Sequence, residues 1–208
     1  MRTIVGRHVR QQALGSPVLP SIGKPGRPGV PWEKPAPFRE ALARLEAEGL
    51  VTKEPLRGYS STPLLGSSSL QQLYEIRLIL EPAAARKAAE TISESDLLLL
   101  EQQVLAMQQV KIGETYKEYQ QFSATDAAFH SIIVRAAKNV FLQEALERLH
   151  AHLHLYRLYF HTGIALETIA EHQEILNAIQ RHTAEAAAVS MTRHLQQAQR
   201  RLLQRLHL

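Results

Sequence analysis

The sequence contains no cysteine, so disulfide bonds and thiolate metal sites are both excluded. It also lacks a long apolar run: the longest apolar stretches, such as residues 97–100, are far shorter than the roughly 20 residues that a membrane-spanning helix needs. No continuous apolar segment of signal-peptide length follows the first residues. These absences, with a cysteine-free composition that suits a reducing compartment, predict a cytoplasmic protein.

Positive charge is concentrated at the N-terminus. The net charge is +4, but residues 1–32 hold five basic and no acidic residues, which leaves 19 basic and 20 acidic residues for the rest of the chain. The same segment contains five of the ten prolines and five of the ten glycines, which disfavour a regular helix. Residues 1–33 are therefore predicted to be an irregular basic arm, either attracted to a polyanion such as DNA or simply a solvated tail.

Residues 34–65 follow the pattern of a helix and a hairpin. Apolar residues recur at helical spacing from Phe38 to Leu50, with Pro37 suited to the first turn and Gly49 to the end. Two short strand-like stretches, 51–52 and 59–62, then flank turn residues. A helix followed by a hairpin is the second half of a winged helix-turn-helix, so an incomplete or divergent domain of that kind is predicted here.

Residues 66–208 are predicted to be entirely helical, which makes the protein mostly α. Ser69 and Ser93 suit helix N-caps, and Gly113 and Asn139 suit breaks between helices. The pattern indicates an antiparallel bundle of about six helices. Their expected ranges are about 70–90, 94–110, 115–137, 141–160, 166–181 and 184–206.

Four residues in this bundle have the spacing of a metal site. Asp126 and His130 are four apart and share one face of a helix. His172 and His194 would lie about 33 Å apart in one unbroken helix. A turn is expected near His182 and Thr183, however, and it would fold the two residues into a hairpin whose arms match in length. The alternative is that each histidine is an ordinary, partly buried polar residue, because the chain has ten.

Three imidazoles and one carboxylate suit Zn²⁺, Ni²⁺, Mn²⁺ or Fe²⁺, of which Zn²⁺ and Ni²⁺ are expected first. His150, His152 and His154 also follow helical spacing, but they are predicted to flank the buried stripe of their helix with their tips in solvent. If one of them has a binding role, contact with a bound effector is favoured over contact with the metal.

Motifs of enzymes are largely missing. The sequence has no serine in a tight glycine-flanked elbow, no phosphate-cradling glycine loop and no HExxH. A metallohydrolase that uses an open position on the metal is an alternative, but its general base would have to be a carboxylate near the site. Glu171 is adjacent to His172, and because helix neighbours point about 100° apart it is expected to face elsewhere.

Several segments resemble one family. PFREALARLEAEGLVTKEPLRGY resembles the recognition helix and wing of the GntR family of bacterial regulators, and SLQQLYEIRLILEPAAARKAA resembles the opening helix of the family's FCD effector domain. DAAFHSIIVRAAKNVFL, EHQEILNAI and MTRHL resemble the remaining signatures of that domain. The resemblance covers about residues 34–206. It implies a helical effector domain, a homodimer, and a metal on one Asp and three His, which fall on Asp126, His130, His172 and His194.

The resemblance also implies partners. DNA contacts fall on the helix and wing at Lys34, Arg39, Arg57 and Gly58. Contacts to a small carboxylate effector fall on Arg77 and Asn139, for which the alternatives are a helix-surface ion pair and a helix C-cap, respectively. The expected function is that of an effector-responsive transcription regulator. The family has two helices before the recognition helix, where this chain has its basic arm; this departure favours the alternative of a metal-dependent sensor that has lost DNA binding.

Overall fold

The computed structural model of the chain describes residues 36–55, 58–110, 116–159 and 165–206. The chain divides between Pro63 and Leu64 into two compact units, which are described separately. The predicted basic arm, together with Lys34 and Arg57, lies outside the described residues. No helix in the described part of the chain is long and apolar enough to cross a membrane.

The first unit contains the predicted helix and hairpin: α1 spans Ala36–Ala47, and β1 (Val51–Glu54) pairs antiparallel with β2 (Gly58–Ser61). Gly49 ends the helix in a left-handed conformation, with φ of 69°. The amide of Leu50 donates to the carbonyl of Leu45 and that of Gly49 to Glu46, which is the Schellman arrangement that satisfies the last carbonyls of a helix.

The second unit is helical throughout its described residues, which confirms the predicted fold class. Within the described ranges, seven helices follow one another rather than about six: α2 (Ser67–Thr91), α3 (Glu94–Gln109), α4 (Tyr116–Ala136), α5 (Val140–Arg148), α6 (Ala151–Tyr159), α7 (Ala165–Gln180) and α8 (Ala184–Leu206). The additional helix arises because the segment predicted as one helix over 141–160 is interrupted. His150 takes a positive φ of 45° there, and α6 begins directly after it.

The helix ends only partly follow the predicted caps. Ser93 caps α3 as expected, accepting a hydrogen bond from the amide of Asp96 at 3.1 Å. Ser69 does not cap α2, contrary to expectation, because the helix already begins at Ser67. Its N-cap is Gly66, which makes no capping hydrogen bond through a side chain. Asn139 was expected to end α4, but α4 ends at Ala136 and Asn139 instead caps the start of α5 through the amide of Leu142.

In the core, α2 packs along α8 and against α4, and α7 packs against both α2 and α8. Its largest fully buried side chains include Tyr74, Phe129, Ile175 and Leu195. The hairpin between α7 and α8 turns at His182, whose φ of 53° lets the chain reverse. The amide of Thr183 donates to the carbonyl of Ala178 and closes the end of α7. This turn fixes the register between α7 and α8, and thereby the relative heights of His172 and His194.

Candidate metal centre

Three histidines from three helices converge in the core of the second unit. His130 on α4, His172 on α7 and His194 on α8 are all buried, and one ring nitrogen of each lies within 4.8 Å of those of the other two. The ring centroids are 4.6 Å apart for His172 and His194, and 5.3 Å apart for each of the other two pairs. His172 and His194 thus lie together, as the predicted hairpin requires.

His130 is held from behind by an ion pair. Its Nδ1 lies 2.7 Å from Oε2 of Glu81 on α2, and the other oxygen of that carboxylate accepts a hydrogen bond from Nε of Arg77 at 2.5 Å. Burial alone would raise the pKa of Glu81, but Arg77 and His130 hold it well below its ordinary range. Glu81 is therefore held as a carboxylate, which can accept hydrogen bonds but cannot donate them.

His194 has a matching support. Its Nδ1 lies 2.8 Å from Oε2 of Glu171, and Arg201 on α8 donates to both oxygens of the same carboxylate at 2.6 and 2.9 Å. Although burial would raise the pKa of Glu171, the hydrogen bonds from Arg201 and His194 lower it. Glu171 points to the rear of His194, consistent with the expectation that its side chain faces away from the centre between the rings.

His172 is supported differently. Its ring stacks on Phe129 at 4.3 Å with 20° between the planes, and its Nδ1 lies 3.3 Å from the thioether sulfur of Met107. Its Nε2 is buried and has no hydrogen-bond partner among the described residues. Burial, together with the neighbouring His194, holds the pKa of His172 well below its ordinary value. The ring is therefore neutral near pH 7 and retains a lone pair.

Asp126 lies at the edge of the triad. Its Oδ1 is 3.5 Å from Nε2 of His172, and its side chain is 23% exposed. Burial would raise the pKa of this carboxyl, but His152 and the adjacent His172 and His130 lower it below its ordinary range. A neutral buried imidazole with an unpartnered nitrogen, beside an ionised carboxylate, is the donor chemistry that a divalent transition metal requires.

His152 also reaches this site, so the prediction that its tip lies in solvent was wrong. Its Nδ1 is 3.7 Å from Oδ2 of Asp126, and its ring centroid is 5.5 Å from that of His130. The cause is the interruption at His150, which resets the helical phase and turns the second residue of α6 inward. His152 and His130 line a cavity of about 80 Å³ together with residues of α2, α4 and α5, among them Glu81, Ser131 and Gln143.

The other predicted site residues are placed away from this cluster or behind it. Arg77 is 2% exposed and paired with Glu81, behind His130 rather than among the residues that line the cavity. Asn139 uses its side chain to cap α5. In the first unit, Arg39 is exposed on α1, and Gly58 opens β2 with a φ of 101°. The roles predicted for these residues stay predictions.

The comparisons with known proteins decide the family. Residues 72–197 match the FCD domain, and these are the residues that carry the histidine cluster. The chain belongs to the FCD family of GntR-type transcriptional regulators. A repressor from Escherichia coli strain K12, RspR, is 29% identical over 163 residues, which cover 77% of this chain and 70% of that protein. A Bacillus subtilis regulator, YdhC, is 29% identical over 161 residues, or 76% and 70% of the two chains.

Solved structures agree with this assignment. The E. coli protein McbR/YncC has a TM-score of 0.67 at 25% identity, covering 80% of this chain and 83% of its own. A regulator from Rhodococcus sp. RHA1 shares the fold, with a TM-score of 0.65 at 19% identity. The match covers 80% of the present chain and 79% of the Rhodococcus chain. The chain is accordingly a transcriptional regulator of the GntR/FCD type.

Sequence reasoning missed the residues that support the histidines. Glu81 follows Arg77 by four positions, a spacing that signals a pair on one helix face, but nothing local shows that the pair faces His130 across the core. Arg201 lies on the same helix as His194, seven residues later, which is two helical turns and so the same face. That periodicity is the signal that could have identified it.

Proposed function

We propose that this regulator holds a divalent metal, Zn²⁺ or Ni²⁺, on His130, His172 and His194 with Asp126 as the fourth ligand. The observation that supports this most strongly is the Nε2 of His172, a buried polar atom without a hydrogen-bond partner. Leaving such an atom unpaired is costly, and a bound cation would remove that cost. The metal would supply positive charge, and a coordination number above four would leave a position for an anionic ligand.

The charges around the site favour a carboxylate effector. Arg77 neutralises Glu81, and Arg201 neutralises Glu171, so Asp126 is left as the one uncompensated charge of the cluster among the described residues. With a divalent cation the site carries a net charge of about +1, which attracts a small anion. The cavity beside His130 and His152 offers the effector a place next to the metal ligands. Direct effector contacts by Arg77 and Asn139 stay predictions.

Regulation would then follow by population shift. The protein acts as a cytoplasmic homodimer, and effector binding in the FCD domain alters the affinity of the two DNA-reading heads for a two-fold-related operator. Contacts to DNA are assigned to Lys34, Arg39, Arg57 and Gly58. The exposed position of Arg39 on α1 and the open backbone at Gly58 are compatible with an approach to phosphates.

A thermal-shift screen of small hydroxy and sugar acids tests the ligand-binding part. A ligand that binds only the folded protein raises its melting temperature, and the account expects this rise in metal-loaded protein and its loss after chelation. Equal shifts with and without metal would contradict a metal-assisted effector site.

Footprinting of the chain's own upstream DNA tests regulation. Protection of a two-fold-related site that changes with the effector is expected. A metal-loaded, effector-binding dimer that protects no site would instead identify the chain as a sensor without DNA binding. Hydrolysis is less well supported, because Glu171 is engaged by both His194 and Arg201 and is not placed as a general base.

A further inference from the structure

Two buried carboxylates stand behind the histidine cluster in the same manner. Each pairs with an arginine and each meets the Nδ1 of a different histidine: Glu81 with Arg77 at His130, and Glu171 with Arg201 at His194. We propose that Glu81 and Glu171 are positioning residues that fix His130 and His194 as Nδ1–H tautomers and so direct both Nε2 atoms into the centre. This inference rests on the proposed metal site.

The chemistry of the hydrogen bonds determines the tautomer. A neutral imidazole carries one N–H, and an ionised carboxylate can only accept a hydrogen bond. Because each carboxylate already receives hydrogen bonds from a guanidinium, which cannot be deprotonated, it stays ionised. The proton of the imidazole must then be on Nδ1, and the lone pair must be on Nε2. Supporting hydrogen bonds of this kind fix the orientation of metal-binding histidines and strengthen them as ligands.

The arginines add a second property, which is charge neutrality. Arg77 and Glu81 have only 3% and 6% of their side-chain surfaces exposed, and Arg201 and Glu171 have 19% and 8%. Burying an ion pair costs desolvation energy that its attraction often fails to recover, so stability alone is a weak reason to have one. Support for the histidines is a further reason to bury these ion pairs. Each arginine cancels the negative charge that its glutamate would otherwise add to the centre.

His172 lacks this support, which makes the centre asymmetric. Its Nδ1 faces the thioether of Met107, a weak acceptor, and its ring is held by stacking on Phe129. In the metal-free protein, these contacts therefore favour neither tautomer of His172 strongly. Strict control of the tautomer therefore applies to His130 and His194 but not to His172.

Glu81→Gln is the sharpest change. Arg77 would retain the amide oxygen, so the amide NH₂ would face His130 and require its Nδ1 to accept. Nitrogen NMR of the histidine rings in metal-free protein then gives a readout that needs no metal. The proposal expects Nδ1–H tautomers at His130 and His194 in the wild type, and an Nε2–H tautomer at His130 in the variant.

Glu171→Gln provides a second variant, because Arg201 is partly exposed and tolerates a lost charge better than Arg77. Glu185→Gln is the matched control, because it removes the same charge from an exposed ion pair with Arg86. The side chain of Arg86 is 49% exposed and that of Glu185 is 76% exposed. Competition with a chelator should show metal affinity reduced roughly 10- to 100-fold in folded Glu81→Gln or Glu171→Gln. The control should bind like the wild type.

Nε2–H tautomers at both His130 and His194 in the wild type would overturn the proposal, as would wild-type metal affinity in both folded variants. If the wild type has the expected tautomers, the variant shows the expected change and no metal binds to either, the positioning role is supported and the proposed metal function fails. The two failures are thereby distinguished.

Discussion

The Nε2 atom of His172 lies 3.5 Å from Oδ1 of Asp126, and it is a buried nitrogen without a hydrogen-bond partner among the described residues. The two residues come from different helices, α7 and α4, and both of these helices pack against α2 and α3. The core contributes directly to the order of the site, because Phe129 and Met107, which contact His172, belong to the hydrophobic core.

Phe129 links the fold to the site. It is fully buried and stacks on His172, so Phe129→Ala should lower the free energy of unfolding by about 3–5 kcal/mol and free the ring of His172. Urea unfolding measures the first effect, and chelator competition on folded protein measures the weaker metal binding. Phe141→Ala, at a position that is 79% exposed, is the control and should change stability by no more than about 0.5 kcal/mol.

Asp96 predicts a pH-dependent contribution to stability. Hydrogen bonds from Arg135 and Ser93 lower the pKa of this carboxyl in the folded state. A lowered folded-state pKa stabilises the fold above the unfolded value of about 3.9 and loses that contribution as the pH falls through the folded value. Asp96→Asn should therefore reduce stability by about 0.2–1 kcal/mol at pH 7, and the difference from the wild type should shrink below pH ~4. A difference that grows on acidification would contradict the assignment.

Arg39 tests the DNA-binding surface. If its guanidinium contacts phosphate, Arg39→Ala weakens operator binding and reduces the magnitude of the salt slope of log K by about 1. Arg44→Ala, an exposed arginine five residues later on the same helix, is a matched control because five residues rotate it by about 140° to another face. Equal losses in both variants would show only a general effect of charge.

His152 separates effector binding from metal binding. It contacts Asp126 and lines the cavity, but it lies outside the triad whose nitrogens converge. His152→Ala should keep its metal and lose much of the melting-temperature rise that an acid effector produces in the wild type. If the variant loses metal as fully as a His194→Ala protein does, His152 is a ligand and the proposed ligand set is wrong.

The sequence was most informative where local patterns repeat. Helical spacing identified the second unit, and the matched arms on either side of His182 brought His172 to His194. The sequence was least informative where the backbone conformation of a single residue interrupts a helix and changes which face the following residues occupy. The positive φ of His150 divides a predicted helix and turns His152 toward Asp126, and no side-chain pattern announces this.

Long-range polar pairing was also beyond sequence reasoning. Glu81 meets His130 across two packed helices, and only the packing decides which buried carboxylate lies behind which imidazole. Arg77 is an example. The resemblance to the family predicts that Arg77 contacts the effector, whereas its partner in the core is Glu81.

Metal analysis of purified protein after loading and desalting tests the central claim most directly. The account predicts stoichiometric Zn²⁺ or Ni²⁺ in the wild type, loss of that metal in folded His172→Ala and His194→Ala, and retention in His182→Asn. His182 is the matched control because it lies at the far turn of the same hairpin, where its Nδ1 is 2.8 Å from the carbonyl oxygen of Ala89. Asparagine accepts the positive φ and keeps a side-chain hydrogen-bond donor there. Metal retained in folded His172→Ala, or absent from the wild type under loading, would contradict the account.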